Sequence, residues 1–130
     1  MERRRAIRYR IDLPARFRIS LPGPRGRVSS SILSRVFDLS ESGVRLLADQ
    51  VQVDGLHVLY PNLTTSEHCL LEVEITGSET SLTLHGRVVW YDRTPEGTPF
   101  AFQMGVEFLE LDKDRKKEVQ RMIRLAPTPA

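Results

Sequence analysis

The chain has 130 residues, 40% of them apolar, which supports one core and one ordinary domain. No apolar run approaches the roughly 18 residues of a membrane span, and the opening MERRR is not followed by the apolar stretch of a secretory signal, so neither insertion nor export is expected and a cytoplasmic location is. The net charge of +2 conceals an asymmetry: residues 1–37 hold ten arginines against Glu2 and Asp12 (+8), residues 38–130 nine basic and fifteen acidic groups (−6).

Residues 1–13 read as a flexible, arginine-rich arm running into Leu13-Pro14, where a domain spanning 14–125 begins. Within the arm Ile7, Tyr9, Ile11 and Leu13 alternate with Arg8, Arg10 and Asp12, the pattern of a segment lying on a fold with its arginines outward. Ala15, Phe17 and Ile19 alternate with Arg16 and Arg18 and predict a half-buried strand. Pro22-Gly23-Pro24-Arg25-Gly26 is a turn. A second strand is expected over 27–38, a tight turn at Ser40-Glu41-Ser42-Gly43, and a third strand with Val44, Leu46 and Ala48 on one face.

Residues 49–67 are the least regular stretch, with a short strand expected at His57–Tyr60 before Pro61. Leu71, Val73 and Ile75 then share a face, and Gly77-Ser78-Glu79 turns the chain back. The strand from Leu82 to Tyr91 is expected to point Leu82, Leu84, Val88 and Trp90 inward and Thr83, His85 and Arg87 outward. After a turn at Pro95-Glu96-Gly97, Phe102, Met104, Val106 and Phe108 repeat the inward parity. Asp112 is placed to cap a helix over Lys113–Leu125 whose stripe of Val119, Met122 and Ile123 would dock on the barrel or on a partner. Residues 126–130 are expected to fray. The fold class is therefore all-β, a six-stranded antiparallel barrel with a basic N-terminal arm and a C-terminal helix; closure removes exposed edges at this size.

Catalysis finds no foothold. The lone Cys69 makes no disulfide, and His68 beside it would point to the opposite face of a strand, so the two cannot grip one metal. No base is nominated near the serines at 29–31, and no phosphate loop or nucleophile elbow is present. Asn62-Leu63-Thr64 matches a glycosylation sequon without meaning outside secretion.

Two segments carry a signal. The first is Arg3-Arg4-Arg5-Ala6-Ile7-Arg8-Tyr9-Arg10, in a chain where sixteen of nineteen basic residues are arginine. Arginine's planar fork suits phosphates and guanine edges. The second is Asp38-Leu39-Ser40-Glu41-Ser42-Gly43. In an ordinary turn Asp38 and Ser40 would satisfy backbone N–H groups. Otherwise, with Leu39 buried, a carboxylate and a hydroxyl share the opposite face and can receive a ligand's donors. Gly43 would supply a positive φ or a close approach that a side chain would block.

Together the segments resemble the PilZ family of bacterial cyclic di-GMP receptors, marked by RxxxR in an N-terminal arm and [D/N]xSxxG on a barrel strand. Here these stand as Arg4-Arg5-Ala6-Ile7-Arg8 and Asp38-Leu39-Ser40-Glu41-Ser42-Gly43. Leu13-Pro14-Ala15-Arg16-Phe17, Gly86-Arg87-Val88-Val89-Trp90 and Met104-Gly105-Val106-Glu107-Phe108 extend the likeness over residues 2–125. The resemblance implies a receptor or adaptor rather than an enzyme, with cyclic di-GMP as ligand, often as a stacked dimer, and with no cofactor or metal. It implies ligand contacts from Arg4, Arg5, Arg8, Asp38, Ser40 and Gly43, with Arg10 and Arg87 as supporting candidates. It also implies an arm that rearranges on binding, a protein partner that reads the change, and a setting in motility or biofilm control. Two alternatives stand beside it. One is a PilZ-like adaptor that works without ligand. The other, a small barrel that binds nucleic acid, is disfavoured because Phe17, Trp90, Phe102 and Phe108 all fall at inward parity and leave no aromatic platform outside.

Overall fold

A computed structural model of the chain describes residues 7–24, 26–61, 67–77 and 80–125. Nine strands and one helix are present among them: β1 (Tyr9–Leu21), β2 (Arg27–Val28), β3 (Ile32–Leu39), β4 (Gly43–Ala48), β5 (Gln52–Val53), β6 (Leu56–His57), β7 (Leu70–Thr76), β8 (Ser81–Arg93), β9 (Phe102–Leu109) and α1 (Lys113–Arg124). Six of the strands close into an antiparallel barrel in the order β1-β3-β4-β9-β8-β7, with β7 returning to β1 and β2 attached beside β1.

Alternation builds the core. Phe17, Ile19, Leu46, Leu71, Ile75, Leu84 and Met104 are all buried inside the barrel, while the side chains next to them along each strand point outward. On the outer face of the β1–β7 pair Arg16 lies opposite Glu74 and Arg18 opposite Glu72, the latter joined at 2.6 Å. The helix closes one end of the barrel. Asp112 caps it by accepting from the Arg115 N–H at 2.8 Å, Val119 and Met122 are buried, and Arg115 Nε donates to the Thr83 carbonyl. The apolar stripe of α1 therefore packs within the chain.

Several expected boundaries move. The first strand runs from Tyr9, not Ala15, because residues 9–17 pair with β3 while β7 joins only from Ala15. Pro14 lies in the part of β1 that has a single neighbour, where a missing N–H is tolerated. The strand expected over 27–38 divides into β2 and β3. Between them Ser29 stands in for a strand partner, its N–H donating to the Ile19 carbonyl at 2.8 Å and its Oγ accepting from the Ile19 N–H at 2.9 Å. The irregular stretch contains a two-residue hairpin, β5–β6, turned by Asp54 (φ 52°) and Gly55 (φ 80°), both in the left-handed region that such turns require. Of the strand expected at His57–Tyr60, only His57 belongs to a strand. The sequon 62–64, Ser78 and Glu79 of the hairpin turn, Arg25, and the tail 126–130 lie outside the described residues.

The largest correction concerns parity. Trp90 is not in the core but 37% exposed, and Phe102 and Phe108 are half-buried; of the four aromatics expected inside, Phe17 alone is fully so. The cause is a register slip between Val88 and Trp90, where two residues of β8 oppose one of β9 and both Val89 and Trp90 reach the surface. Similar slips separate Arg10 from Leu13 against β3 and Val36 from Asp38 against β4.

Candidate ligand-binding site

The three slips lie at one level of the barrel and create a row. Arg10, Asp38, Arg45, Gly105 and Trp90 are successive Cα partners across β1, β3, β4, β9 and β8. Val44 and Leu46 are fully buried, so Arg45 between them points outward, and its partner Asp38 shares that face.

Asp38 is the centre. Its side chain is 1% exposed, covered by two arginines rather than by the core. Arg8, just before β1, donates from Nη1 to Oδ1 at 2.9 Å. Arg45 brings Nη2 to 3.0 Å from Oδ2, but its N–H is not aimed at that oxygen. Asp38 Oδ2 and Arg45 Nε are consequently buried without a hydrogen-bond partner. Both arginines keep an edge in solvent, at 23% and 28% exposure. Burying a carboxylate costs several kcal/mol unless its charge is met, and here two cations meet it from opposite oxygens.

Rings and guanidiniums extend the row. Arg10 lies 3.9 Å from the Phe37 ring centre, and Arg45 lies 4.9 Å from Phe37 and 5.9 Å from Trp90. The Trp90 indole rests on the β9 backbone at Gly105, where a Cβ would stand 2.2 Å from Nε1. Only glycine leaves room for the ring there. Cations over aromatic faces contribute about 0.5–1 kcal/mol each at exposed sites.

The remaining site candidates divide. Arg8, Asp38 and Arg10 are brought together, while Arg4 and Arg5 lie outside the described residues. The Ser40 hydroxyl is occupied by its own turn, accepting from the N–H groups of Ser42 (3.2 Å) and Gly43 (3.1 Å). Gly43 has no positive φ. Its necessity is the close approach of β4 to β9, since a Cβ would meet the Val106 carbonyl oxygen at 2.4 Å. Arg87 pairs with Glu107 at 3.1 Å on the exposed surface, and Glu107 in turn faces Gly43, so this ion pair lies beside the turn rather than on Asp38. Sequence reasoning passed over Arg45, Phe37 and Trp90. Arg45 could have been found by counting: a turn that pairs Leu39 with Val44 puts Asp38 opposite Arg45.

The arrangement offers a carboxylate acceptor, converging guanidinium donors and two rings, the groups that grip a purine nucleotide. No group of three or more histidine, cysteine or acidic side chains gathers as a cation site among the described residues. No helix among them is long and apolar enough to cross a membrane.

Comparison with solved structures finds the same fold. The PilZ domain of YcgR from Escherichia coli with c-di-GMP superposes with a TM-score of 0.65 at 18% identity, covering 95% of this chain and 90% of that one. The inhibitor of motility MotI/DgrA of Bacillus subtilis gives 0.63 at 17% identity, and the MrkH–c-di-GMP complex of K. pneumonia 0.60 at 16%. Each of those alignments covers 95% of this chain but only about half of the other protein, 51% and 52%. No curated protein matches the sequence. The PilZ domain profile matches residues 2–125, and the chain belongs to the PilZ domain family.

Proposed function

We propose that this chain is a cyclic di-GMP receptor, with the Asp38 row as the core of its binding site. The observation that carries the reading is the buried Asp38 carboxylate with an unused lone-pair direction at Oδ2, set among Arg8, Arg10, Phe37 and Trp90. Cyclic di-GMP presents two guanines and two phosphates. A carboxylate is the natural acceptor for the paired N1–H and N2–H₂ donors of guanine. Arg8 and Arg10 have the fork geometry for phosphate oxygens or for guanine O6 and N7. Phe37 and Trp90 offer faces on which a base can stack. Arg4 and Arg5 would add donors from the segment before Arg8. Two of the structural neighbours, the YcgR PilZ domain and MrkH, are complexes with the same ligand, which supports the reading.

Binding would work as an exchange. Arg8 stands immediately before β1 and reaches Asp38 through its side chain. A ligand that takes Asp38 would release Arg8 to the phosphates and re-place the chain before Tyr9. Fixing a chain segment in one conformation costs about 1–2 kcal/mol per residue, so charge-assisted contacts must drive such a change. The moved segment would then form or remove a surface read by a protein partner in the cytoplasm, in keeping with the regulatory names of MotI and MrkH.

The test is calorimetric titration with cyclic di-GMP, with GTP as control, at physiological salt. Binding at micromolar concentration or tighter is expected for the wild type. Arg8→Ala and Asp38→Ala should lose it. Removing Asp38 leaves two guanidiniums that already reach solvent, so the barrel should stay folded. Normal binding by both variants would show that the ligand sits elsewhere. No heat with the wild type would favour an adaptor that works without ligand.

A further inference from the structure

Arg45 belongs to neither sequence motif, yet it lies against Asp38, Phe37 and Trp90 at once. Its guanidinium faces Asp38 Oδ2 at 3.0 Å, and in strand order it is flanked by Phe37 on β3 and by Trp90 over Gly105 on β9. The fit is incomplete on both sides of the contact, because Oδ2 lacks an aligned donor and Arg45 Nε lacks an acceptor. A flat, donor-bearing cation thus occupies an aromatic-lined slot against a carboxylate, without making its best hydrogen bonds.

The chemistry of that occupant is specific. Guanine's N1–H, N2–H₂ and N3 around C2 form a guanidine unit, with two parallel N–H donors in the plane of an aromatic ring. Arginine's side chain ends in the same unit. Adenine has an acceptor at N1 and a C–H at C2, and cannot present that pair. We propose that Arg45 is a resident stand-in for guanine and thereby sets the base specificity of the site: a base enters only if its edge can replace a guanidinium on Asp38.

The inference deepens the receptor reading and rests on it. Without ligand, Arg45 keeps a buried carboxylate from standing half-paired. With ligand, a better-aligned guanine edge takes Oδ2, and the Arg45 guanidinium swings toward the solvent that its edge already touches. The exchange is one guanidine unit for another, so Asp38 is never left bare. Trp90, seated on the Gly105 backbone, does not need to move.

An occupant of a site lowers apparent affinity by the fraction of molecules it blocks, so its removal should help binding rather than harm it. Arg45→Met removes the guanidine unit and keeps a side chain of comparable reach. It should melt lower than the wild type without ligand and bind cyclic di-GMP up to about tenfold more tightly. Trp90 is the chain's single tryptophan, so its emission reports the slot directly. Unliganded wild type and variant should differ in emission, and their saturated spectra should converge, because Arg45 has left the indole in one and is missing from the other. Affinity retained or improved together with converging spectra supports the proposal. Binding weaker by more than about threefold, or saturated spectra that remain apart, overturns it and makes Arg45 a ligand contact. Should Arg45→Met not fold, Arg45→Lys keeps the charge beside Asp38 without the planar donor pair and is read by the same two criteria. Absence of binding by the wild type itself would reject the receptor reading together with this one, whereas a tight wild type beside a weak variant rejects only the stand-in.

Discussion

Gly43→Ala separates a packing role from a ligand role at the last residue of the second motif. The added Cβ would stand 2.4 Å from the Val106 carbonyl oxygen, where ordinary contact begins near 3.4 Å, so β4 and β9 must part by about 1 Å. The obstacle is backbone on a paired strand, not a side-chain tip that can turn away. Parting strains the neighbouring bonds, from Phe108 N–H to the Ser42 carbonyl and from Ser40 N–H to the Gly43 carbonyl, both 2.9 Å. Overpacking of this kind costs about 1–3 kcal/mol and each weakened bond up to about 1 kcal/mol, which gives about 3 kcal/mol in all. Unfolding entropy near 2.1 cal/mol/K per residue is about 0.27 kcal/mol/K for this chain, so the midpoint should fall by about 10 °C. Thermal unfolding followed by far-ultraviolet circular dichroism, without ligand, measures it. A midpoint within about 2 °C of wild type would show that the strands absorb the methyl freely, and would refute the close-approach account of this glycine.

Gly105→Ala should act in the opposite way. Its Cβ displaces the half-exposed Trp90 ring rather than backbone, so emission should shift while the midpoint falls less than for Gly43→Ala; unchanged emission would contradict the seating of the indole. Ser40→Ala removes the acceptor of two N–H groups, the Gly43 one buried and the Ser42 one partly so, and should cost about 1–3 kcal/mol in urea unfolding, even with no ligand present. His57 accepts from the N–H groups of Leu59 and Tyr60 through Nδ1, and burial lowers its pKa below the ordinary 6.5. The contribution of the neutral ring is therefore complete above pH 6.5 and is lost as pH falls through the lowered value. Wild type should lose more stability than His57→Asn between pH 7.5 and 5.5, measured by urea midpoints; parallel losses would refute the assignment.

The barrel was legible because its strands obey a period of two. Leu71, Val73 and Ile75, or Val44, Leu46 and Ala48, could be assigned to the core from spacing alone, and all six are buried. The helix was legible through Asp112, whose carboxylate accepts from the third residue of the helix as an N-cap should. The β5–β6 hairpin was missed although its signal is local. Asp54-Gly55 between Val53 and Leu56 is a two-residue turn demanding positive φ at both positions, but strands of two residues are too short to alternate. Residues 29–31 broke an expected strand because a serine hydroxyl can take the place of a backbone partner, and no periodicity reports that substitution.

The candidate site was half legible, and the missing half shares one cause. Arg8 and Asp38 could be named from motif spacing, since the chain carries both in fixed order. Phe37, Arg45 and Trp90 depend on which strands become neighbours and on where the ladder slips. Alternation assigns Trp90 to the core because it counts from Leu82 by twos, and the slip after Val88 invalidates that count. The same device puts Phe37 and Asp38 together on the outer face, between buried Val36 and buried Leu39. A strand without a bulge shows one side chain in two to the outside and cannot offer a ring and a carboxylate from consecutive positions. A site that needs charge and stacking surface within a few ångströms is therefore built where alternation fails. Three slips at one level of a small barrel point to the candidate row more directly than any single residue in it.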